Sequence, residues 1–336
     1  MSVQSDDTTP RPLRRAVCFT PMETDRATYL AAAEAADELG YEAIIVPEGW
    51  SLDAGSLLAE LATRTERIRL VSGIQSVWSR TAASLAMQAV TLDEISGGRF
   101  ILGLGASTPA LAEGLHGTEF RQPAAVLRAT ATTVRALLRG ERCVRPDGSP
   151  GLRLGRRPER DVPLWVAGLG PRSVAVAKDV ADAWFPVFVP RDRLSEHAAR
   201  LTGATHCEFV CGPMVFADDD PGAARERARQ LVGWYFTGMG TLYPDAVAAA
   251  GFATEISLLR SENPQPRPGR INWPDGAEPL LAQFAVVGRP ERVADALASW
   301  DGHVDMLAVT VGPGDADSVL TALEAAAPGA AQRSPC

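Results

Sequence analysis

A glycine-rich turn between an apolar run and a helical segment is the most informative chemical feature of the chain. Residues 166–173 read VAGLGPRS. Gly168 and Gly170 allow a tight turn, and Pro171 suits the first position of a helix. The open N–H groups at such a helix start, with Arg172 beside them, form a site for an anion such as a phosphate group. A plain strand-to-helix turn is the alternative interpretation.

Two further glycine-containing strand ends could admit a flat ring. Gly73 and Ile74 follow a strand-like run in SGIQSVWSR, where a strained backbone could press the isoleucine against a planar ligand. Gly103 and Gly105 lie in SGGRFILGLGAS and remove side chains near the end of another strand. Both segments have an alternative interpretation. Gly73 could be a turn glycine beside a core isoleucine, and Gly103 and Gly105 could merely ease strand packing.

Candidate catalytic side chains are few. Glu48 and Trp50 occur in VPEGW, where a carboxylate and an indole could act on a bound ring or substrate, although an exposed glutamate is common. Trp78, in the SVWSR segment, is the third candidate. The histidines lack partners at metal-ligand spacing, so we predict no metal site. The sequence also contains no P-loop and no serine nucleophile elbow.

Strands and helices must bring these residues together, and the hydrophobic pattern predicts which ones. Short apolar runs alternate with longer amphipathic stretches, which is typical of parallel strands joined by helices. The class is α/β, and eight such units predict a (β/α)8 TIM barrel with its site at the C-terminal ends of the strands. An open doubly wound sheet is the alternative. The predicted strands are 16–20, 43–47, 68–72, 100–104, 164–167, 183–187, 208–215 and 306–310.

The connecting segments define the domain organisation. Helices are predicted at 25–39, 82–95, 123–138, 173–180 and 223–232, with Asp25, Asp53 and Ser173 near helix starts and Gly40 at a helix end. We predict a disordered N-terminal tail (1–14), one barrel domain (15–327) and a flexible C-terminal tail (328–336). An insertion before the last strand, at about 234–284, is expected to cover the barrel mouth.

Composition narrows the class of partner. The 336 residues are 46% hydrophobic and carry a formal net charge of −8, without a continuous basic stripe. This balance argues against nucleic-acid binding and favours a small-molecule substrate. The sequence contains no long uncharged apolar run and its first residues are polar, so we expect a cytoplasmic protein with no membrane segment.

Taken together, these motifs resemble the luciferase-like monooxygenase superfamily of flavin- and deazaflavin-dependent barrel oxidoreductases. The similarity covers most of the chain, including ERIRLVSGIQSVWSRTAASLAMQAVTLDEISGGRFILGLGAS, RQPAAVLRATATTVRALLRGE, VPLWVAGLGPRSVAVAKDVADAWFP and VGRPERVADAL. The resemblance implies a non-prolyl cis peptide at Gly73-Ile74, with Ile74 supporting the back of the ring. It implies a phosphate held at 168–172. The cofactor-binding residues are then Thr20, Gly73, Ile74, Ser76, Gly105, Ala106, Ser107, Gly168, Leu169, Gly170, Pro171 and Arg172.

The resemblance favours coenzyme F-420 over FMN, because residues 234–252 and the glycine turn are similar to those of deazaflavin-dependent members. Two positions depart from those members. Gly49 stands where many carry a histidine, and Ser107 or Thr108 stands where sugar-phosphate dehydrogenases carry a glutamate. We therefore expect an F-420-dependent oxidoreductase that transfers a hydride between cofactor and a small organic molecule.

Two other functions compatible with the resemblance are an FMN-dependent monooxygenase that uses O2 and reduced flavin, and a non-catalytic flavin-binding relative. The resemblance further implies a homodimer. It also implies a separate flavin or deazaflavin reductase that supplies the reduced cofactor.

Overall fold

The computed structural model describes residues 14–20 and 22–330 of the chain. Within them the backbone forms eleven strands. In chain order these are β1 (Arg15–Phe19), β2 (Ala43–Val46), β3 (Arg69–Ser72), β4 (Gln75–Ser76), β5 (Phe100–Gly105), β6 (Leu164–Ala167), β7 (Ala183–Trp184), β8 (Glu208–Cys211), β9 (Met214–Ala217), β10 (Ala285–Gly288) and β11 (Met306–Val311).

Eight of these strands close into a parallel barrel. They follow the order β1-β2-β3-β5-β6-β7-β8-β11, and β11 pairs with β1 to close the ring. Every ladder is parallel, so all the strand C-termini lie at one end, the mouth. This arrangement confirms the predicted (β/α)8 barrel and excludes the open sheet.

Alternation along the strands separates two layers of core. On β1, Ala16 and Cys18 point into the barrel, whereas Val17 and Phe19 pack against the surrounding helices. This period of two is the ordinary geometry of a strand. The interior is filled by Trp165 and Phe185 among smaller side chains, so the barrel is a packed core with its site above it.

Thirteen α-helices lie in the described part of the chain. They are α1 (Arg26–Leu39), α2 (Ala54–Arg64), α3 (Ala82–Ser96), α4 (Pro109–Gly114), α5 (Pro123–Leu138), α6 (Pro171–Val180), α7 (Leu194–Ala199), α8 (Pro221–Thr237), α9 (Leu242–Val247), α10 (Ala253–Ser261), α11 (Glu278–Phe284), α12 (Pro290–Leu297) and α13 (Ala316–Ala325). Short 3-10 turns occur at Arg191–Arg193 and Asp275–Ala277, and a π turn at Ala248–Phe252.

The predicted caps are confirmed at three of four positions. Asp25 and Asp53 accept hydrogen bonds from N–H groups in the first turns of α1 and α2, and Gly40 ends α1 with φ of 84°. Ser173 is the exception, because α6 begins earlier, with Gly170 as its cap and no side-chain hydrogen bond there. The start of α6 is thus left open.

Two predicted strands differ from those observed. The run 208–215 was expected as one strand, but Gly212 and Pro213 divide it into β8 and β9. β9 leaves the barrel circle to pair with β10 as well as β11. A proline in the middle of a ladder cannot donate its hydrogen bond, which explains the break. The run 183–187 forms a strand only over Ala183–Trp184. The short strands β4 and β10 were not anticipated.

The segment predicted as an insertion, about 234–284, is mostly helical. It contains the end of α8 together with α9, α10 and α11, and it builds a separate apolar cluster around Phe236, Leu259 and Phe284. The division into one barrel domain with tails stays a prediction. Residues 1–13 and 331–336, which make up most of the two predicted tails, lie outside the described residues.

Candidate functional site at the barrel mouth

A bulge between β3 and β4 forms the centre of the mouth. Val71 pairs with Ile101 and Gln75 pairs with Leu104, so three residues, Ser72 to Ile74, face only two on β5. The extra residue coincides with a non-prolyl cis peptide at Gly73-Ile74, which confirms the expectation. At the bulge the Ser72 hydroxyl takes the place of the backbone hydrogen bonds between the strands. It accepts from Gly103 N at 2.8 Å and donates to Gly103 O at 3.2 Å.

The bulge places the Ile74 side chain across the glycines of β5. A Cβ added at Gly105 would lie 2.7 Å from Cδ1 of Ile74 and 3.5 Å from Cβ of Ala167. At Gly103 an added Cβ would lie 1.9 Å from the Ser72 carbonyl oxygen. These glycines therefore make room for the bulge and for Ile74. The half-buried Ile74 side chain lies at the top of the interior cluster, where it can support a flat ligand.

The glycine turn lies next to it, at the end of β6. Gly170 and Pro171 are exposed, and no side chain caps the start of α6. Arg172 is also exposed. The Trp184 indole N–H donates to the Gly168 carbonyl at 2.8 Å and fixes the turn from below. An open helix start with an adjacent arginine is the geometry that the predicted anion site requires.

The loop after β5 is held by a tryptophan rather than by its own sequence. Nε1 of Trp78 donates to the Ala106 carbonyl at 2.6 Å, and the Trp78 ring packs on Phe120 with centroids 5.5 Å apart. Ser107 adopts φ of 55°, a left-handed conformation uncommon for a residue other than glycine. Because the Trp78 indole N–H already donates to the Ala106 carbonyl, this side chain supports the loop beside the site.

The end of β2 carries an ion-pair cluster. Both carboxylate oxygens of Glu48 accept from Arg80, at 2.5 and 3.0 Å, and Arg80 also pairs with Asp53. The Ala54 N–H donates to Glu48 at 3.2 Å. Burial would lower the pKa of Arg80, but the bonds and charges of Glu48 and Asp53 outweigh it and raise that pKa. Glu48 is thus engaged on both oxygens.

Gly49 and Trp50 follow Glu48 along this loop. A Cβ at Gly49 would lie 3.3 Å from Sδ of Met22, so Met22 occupies much of the space that a histidine would need. Trp50 is 49% exposed and is free to contact a ligand at the mouth.

Thr20 and Ser76 complete the predicted set. Thr20 follows β1 on the inward-facing side of the alternation, and its Oγ1 is buried with no hydrogen-bond partner in the described chain. The Ser76 hydroxyl oxygen, on β4, accepts from the backbone N–H of Trp78 at 3.3 Å. A buried hydroxyl without a partner is costly unless a ligand or water satisfies it. Thr20 is therefore a candidate contact for a bound group.

Sequence reasoning missed an aromatic group on the opposite side of the mouth. Phe188, just beyond β7, contacts Tyr235 and Tyr243 with centroid distances of 4.9 and 5.3 Å. Arg80 and Trp184 were missed as well. Phe188, the two tyrosines, Arg80 and Trp184 all make contacts with segments far away in the chain. No local sequence pattern predicts such contacts. The left-handed conformation of Phe188, with φ of 55°, is visible only in the structure.

Other features lie away from the mouth. A cavity of about 420 Å³ is found between α5 and α6 at the opposite end of the barrel, where Arg135 pairs with Asp182. No cluster of three or more His, Cys, Asp or Glu suited to a metal ion occurs within residues 14–20 and 22–330. Among the helices described, none is long and apolar enough to cross a membrane.

Comparisons with known proteins agree with this geometry. A sequence model of the family described as luciferase-like monooxygenase matches residues 13–303. A Mycobacterium tuberculosis protein, provisionally named a coenzyme F-420-dependent oxidoreductase, is 30% identical over 324 residues, covering 86% of this chain and 92% of that protein.

Two solved structures share the fold. One is the coenzyme F-420-dependent tetrahydromethanopterin reductase of Methanopyrus kandleri, with a TM-score of 0.73, 17% identity and coverage of 94% of this chain and 98% of that one. The other is the oxygenating constituent of the Pseudomonas putida 3,6-diketocamphane monooxygenase in complex with FMN. It has a TM-score of 0.68 and 16% identity, and the match covers 96% of this chain and 99% of that one. At these identities the likeness shows the barrel fold.

Proposed function

Because the chain belongs to the luciferase-like monooxygenase family, we propose that it is an oxidoreductase that binds coenzyme F-420 at the barrel mouth and transfers a hydride between this cofactor and a small organic substrate. The observation that carries the proposal is the adjacency of Ile74 and the open start of α6. The added Cβ at Gly105 would touch both Ile74 and Ala167, the residue that leads into the turn.

The residues present fit the cofactor in three ways. Ile74 offers an apolar support for a flat ring above Gly103 and Gly105. The exposed, uncapped start of α6 offers N–H groups to a phosphate, with Arg172 adding positive charge. The unpartnered Thr20 hydroxyl offers a hydrogen bond from the facing wall. The bound deazaflavin would supply the hydride chemistry, and the protein would orient the ring and exclude water.

We assign supporting roles to two of the predicted catalytic residues. Glu48 holds Arg80, and through it the loop that carries Trp50, because both of its oxygens are engaged. Trp78 holds the Ala106 carbonyl and so fixes the path of the backbone after β5. Trp50 remains the candidate for direct contact with ring or substrate.

The preference for coenzyme F-420 over FMN is supported by the mycobacterial relative, which aligns over 92% of its own length. Titrating the protein with each cofactor, followed by fluorescence, tests it. We expect saturable binding of coenzyme F-420 that is tighter than that of FMN. Tight FMN binding without coenzyme F-420 binding, together with substrate-dependent oxygen consumption, would instead establish the monooxygenase activity.

We also propose that two copies of the chain pair through α3. Met87 and Ile95 are 61% and 44% exposed and are separated by two helical turns, so they lie on one outer face of this helix. Exposed apolar side chains aligned in this way suit a contact between identical helices.

Sedimentation analysis of a Met87→Glu, Ile95→Glu variant tests this pairing. We expect a dimer for the unchanged protein and a monomer for the variant. Leu152→Glu changes an exposed leucine in a loop and serves as the control. A monomeric unchanged protein would refute the pairing.

A further inference from the structure

The far side of the mouth carries an aromatic group that the proposed cofactor site does not use. Phe188 lies at its centre, and the rings of Tyr235, Phe236, Tyr243 and Phe284 surround it with centroid distances of 4.9 to 5.8 Å. Tilted and edge-on packing of this kind stabilises the orientation of each ring. We call Tyr235 and Tyr243, with Phe188 beneath them, the tyrosine pair.

The hydroxyls of the tyrosine pair differ from those of the other two tyrosines. Tyr29 donates to the Ile45 carbonyl at 3.3 Å and Tyr41 to the Leu323 carbonyl at 2.7 Å. Tyr235 and Tyr243 are half-buried, and neither hydroxyl has a hydrogen-bond partner within residues 14–20 and 22–330. A phenol whose ring is held by packing and whose hydroxyl bonds no protein group can donate that hydrogen to a ligand.

Tyr235 lies at the mouth through its ring contact with Phe188, and it responds to charges on the β1 side. Burial is the largest cause of its raised pKa, and the charges of Tyr243, of Glu23 in the loop after β1 and of Cys18 on the inner face of β1 raise that pKa further. Thr20, whose buried hydroxyl has no partner, is the next inward-facing residue after Cys18. Thr20 and the tyrosine pair thus supply three hydroxyls at the mouth that have no hydrogen-bond partner in the described part of the chain.

We propose that the tyrosine pair forms the substrate-recognition end of the site and binds a flat, uncharged cyclic carbonyl compound by donating phenol hydrogen bonds to its carbonyl oxygen. This inference rests on the proposed function, since that function places a small substrate at the same mouth. The assignment adds two specificity-determining residues to the site.

The chemistry of this side of the mouth favours this class of ligand. Burial raises the pKa of Tyr235 and of Tyr243 above the usual value, so both phenols stay protonated and act as donors. Donors bind an acceptor such as a carbonyl oxygen, not an ammonium group. The Glu23 carboxylate disfavours an anionic substrate, and the aromatic rings favour a flat apolar body.

Fluorine NMR of the protein labelled with 3-fluorotyrosine tests the inference without turnover, because the chain contains four tyrosines. Cyclohex-2-enone and cyclohexene serve as matched probes with and without the carbonyl, each added with and without coenzyme F-420. We expect the enone to shift the Tyr235 and Tyr243 resonances with millimolar affinity, and cyclohexene to shift them much less. Tyr29 and Tyr41 should not respond.

Single Tyr→Phe variants assign the resonances and measure the contribution of each hydroxyl. Tyr235→Phe or Tyr243→Phe should weaken enone binding by about fivefold, the effect of one hydrogen bond. Tyr41→Phe, at a hydroxyl bonded to Leu323, should leave it unchanged.

The inference would be overturned if the enone caused no saturable shift below about 50 mM, roughly ten times the expected Kd. Equal shifts with both probes would also overturn it, as would an unchanged enone affinity in both Phe variants. Because the labelled unchanged protein is tested first, a variant that fails to fold does not decide the outcome. Loss of coenzyme F-420 binding with intact enone shifts would contradict the proposed cofactor alone.

Discussion

The two sides of the barrel mouth are built differently. On one side, strands β3 to β6 shape the backbone itself through the bulge at Ile74, the glycines of β5 and the open start of α6. On the other side, the tyrosine pair rests on aromatic packing between Phe188 in the loop after β7 and the helices α8 and α9. The first side has little freedom to change, because its contacts involve backbone atoms. The second side can change by side-chain substitution without altering the barrel, which suits it to substrate choice.

Gly103→Ala should produce the largest effect, because the added Cβ would lie 1.9 Å from the Ser72 carbonyl. A backbone clash cannot be relieved by rotating a side chain, so we expect the free energy of unfolding to fall by about 3 kcal/mol or more. Chemical denaturation measures it. Gly114→Ala, where an added Cβ meets nothing within 4 Å, is the control and should cause no loss. Equal stability of the two variants would show that the backbone side is not rigid.

Gly170→Asp should separate binding from stability. A carboxylate at this cap faces the proposed phosphate, so coenzyme F-420 affinity should fall about 100-fold, or about 3 kcal/mol. The same side chain caps α6, so stability should rise by a few tenths of a kcal/mol. Gly170→Asn caps without charge and should retain most of the affinity. Unchanged affinity in the aspartate variant would show that the phosphate does not bind at this turn. If the protein turns over a substrate, loss of that turnover in the aspartate variant would exclude a non-catalytic relative.

Trp78→Phe tests whether the backbone after β5 depends on the Ala106 hydrogen bond. Phenylalanine keeps the packing on Phe120 but leaves the carbonyl without its donor. We expect the free energy of unfolding to fall by about 1 kcal/mol. Trp50→Phe is the matched change at an exposed indole and should have no such effect. A similar loss in both variants would contradict the supporting role.

The smallest effect concerns pH and the support of the glycine turn. His197 stacks on Trp184, and burial lowers its pKa below the usual 6.5. The unfolded chain then binds a proton more readily than the folded one, so stability should fall as pH decreases through the unfolded-state pKa of about 6.5 and on towards the lower folded-state pKa. Unfolding measured at several pH values should show this loss in the unchanged protein and in His206→Gln. The loss should be absent in His197→Gln. Identical pH profiles in all three proteins would contradict it.

The sequence predicted the two sides of the mouth unequally. The glycine turn, the Gly73-Ile74 site and the barrel follow from local spacing and from the resemblance, because each depends on residues close together in the chain. The tyrosine pair depends on Phe188 meeting residues of the later helical segment, and no short pattern encodes that contact. The pairing of Glu48 with Arg80 also joins distant segments, so the sequence offered Glu48 as a group that could act on a bound ring or substrate. The strand pattern itself needed correction at β4, at the shortened β7, and at β9 and β10.

The central claim is that a deazaflavin binds with its ring over Ile74 and its phosphate at the start of α6. A crystal structure of the protein with coenzyme F-420 tests it most directly. We expect the ring in contact with the Ile74 side chain and the phosphate within hydrogen-bond distance of the Arg172 backbone N–H. A cofactor bound elsewhere, or one whose phosphate avoids residues 168–172, would contradict it.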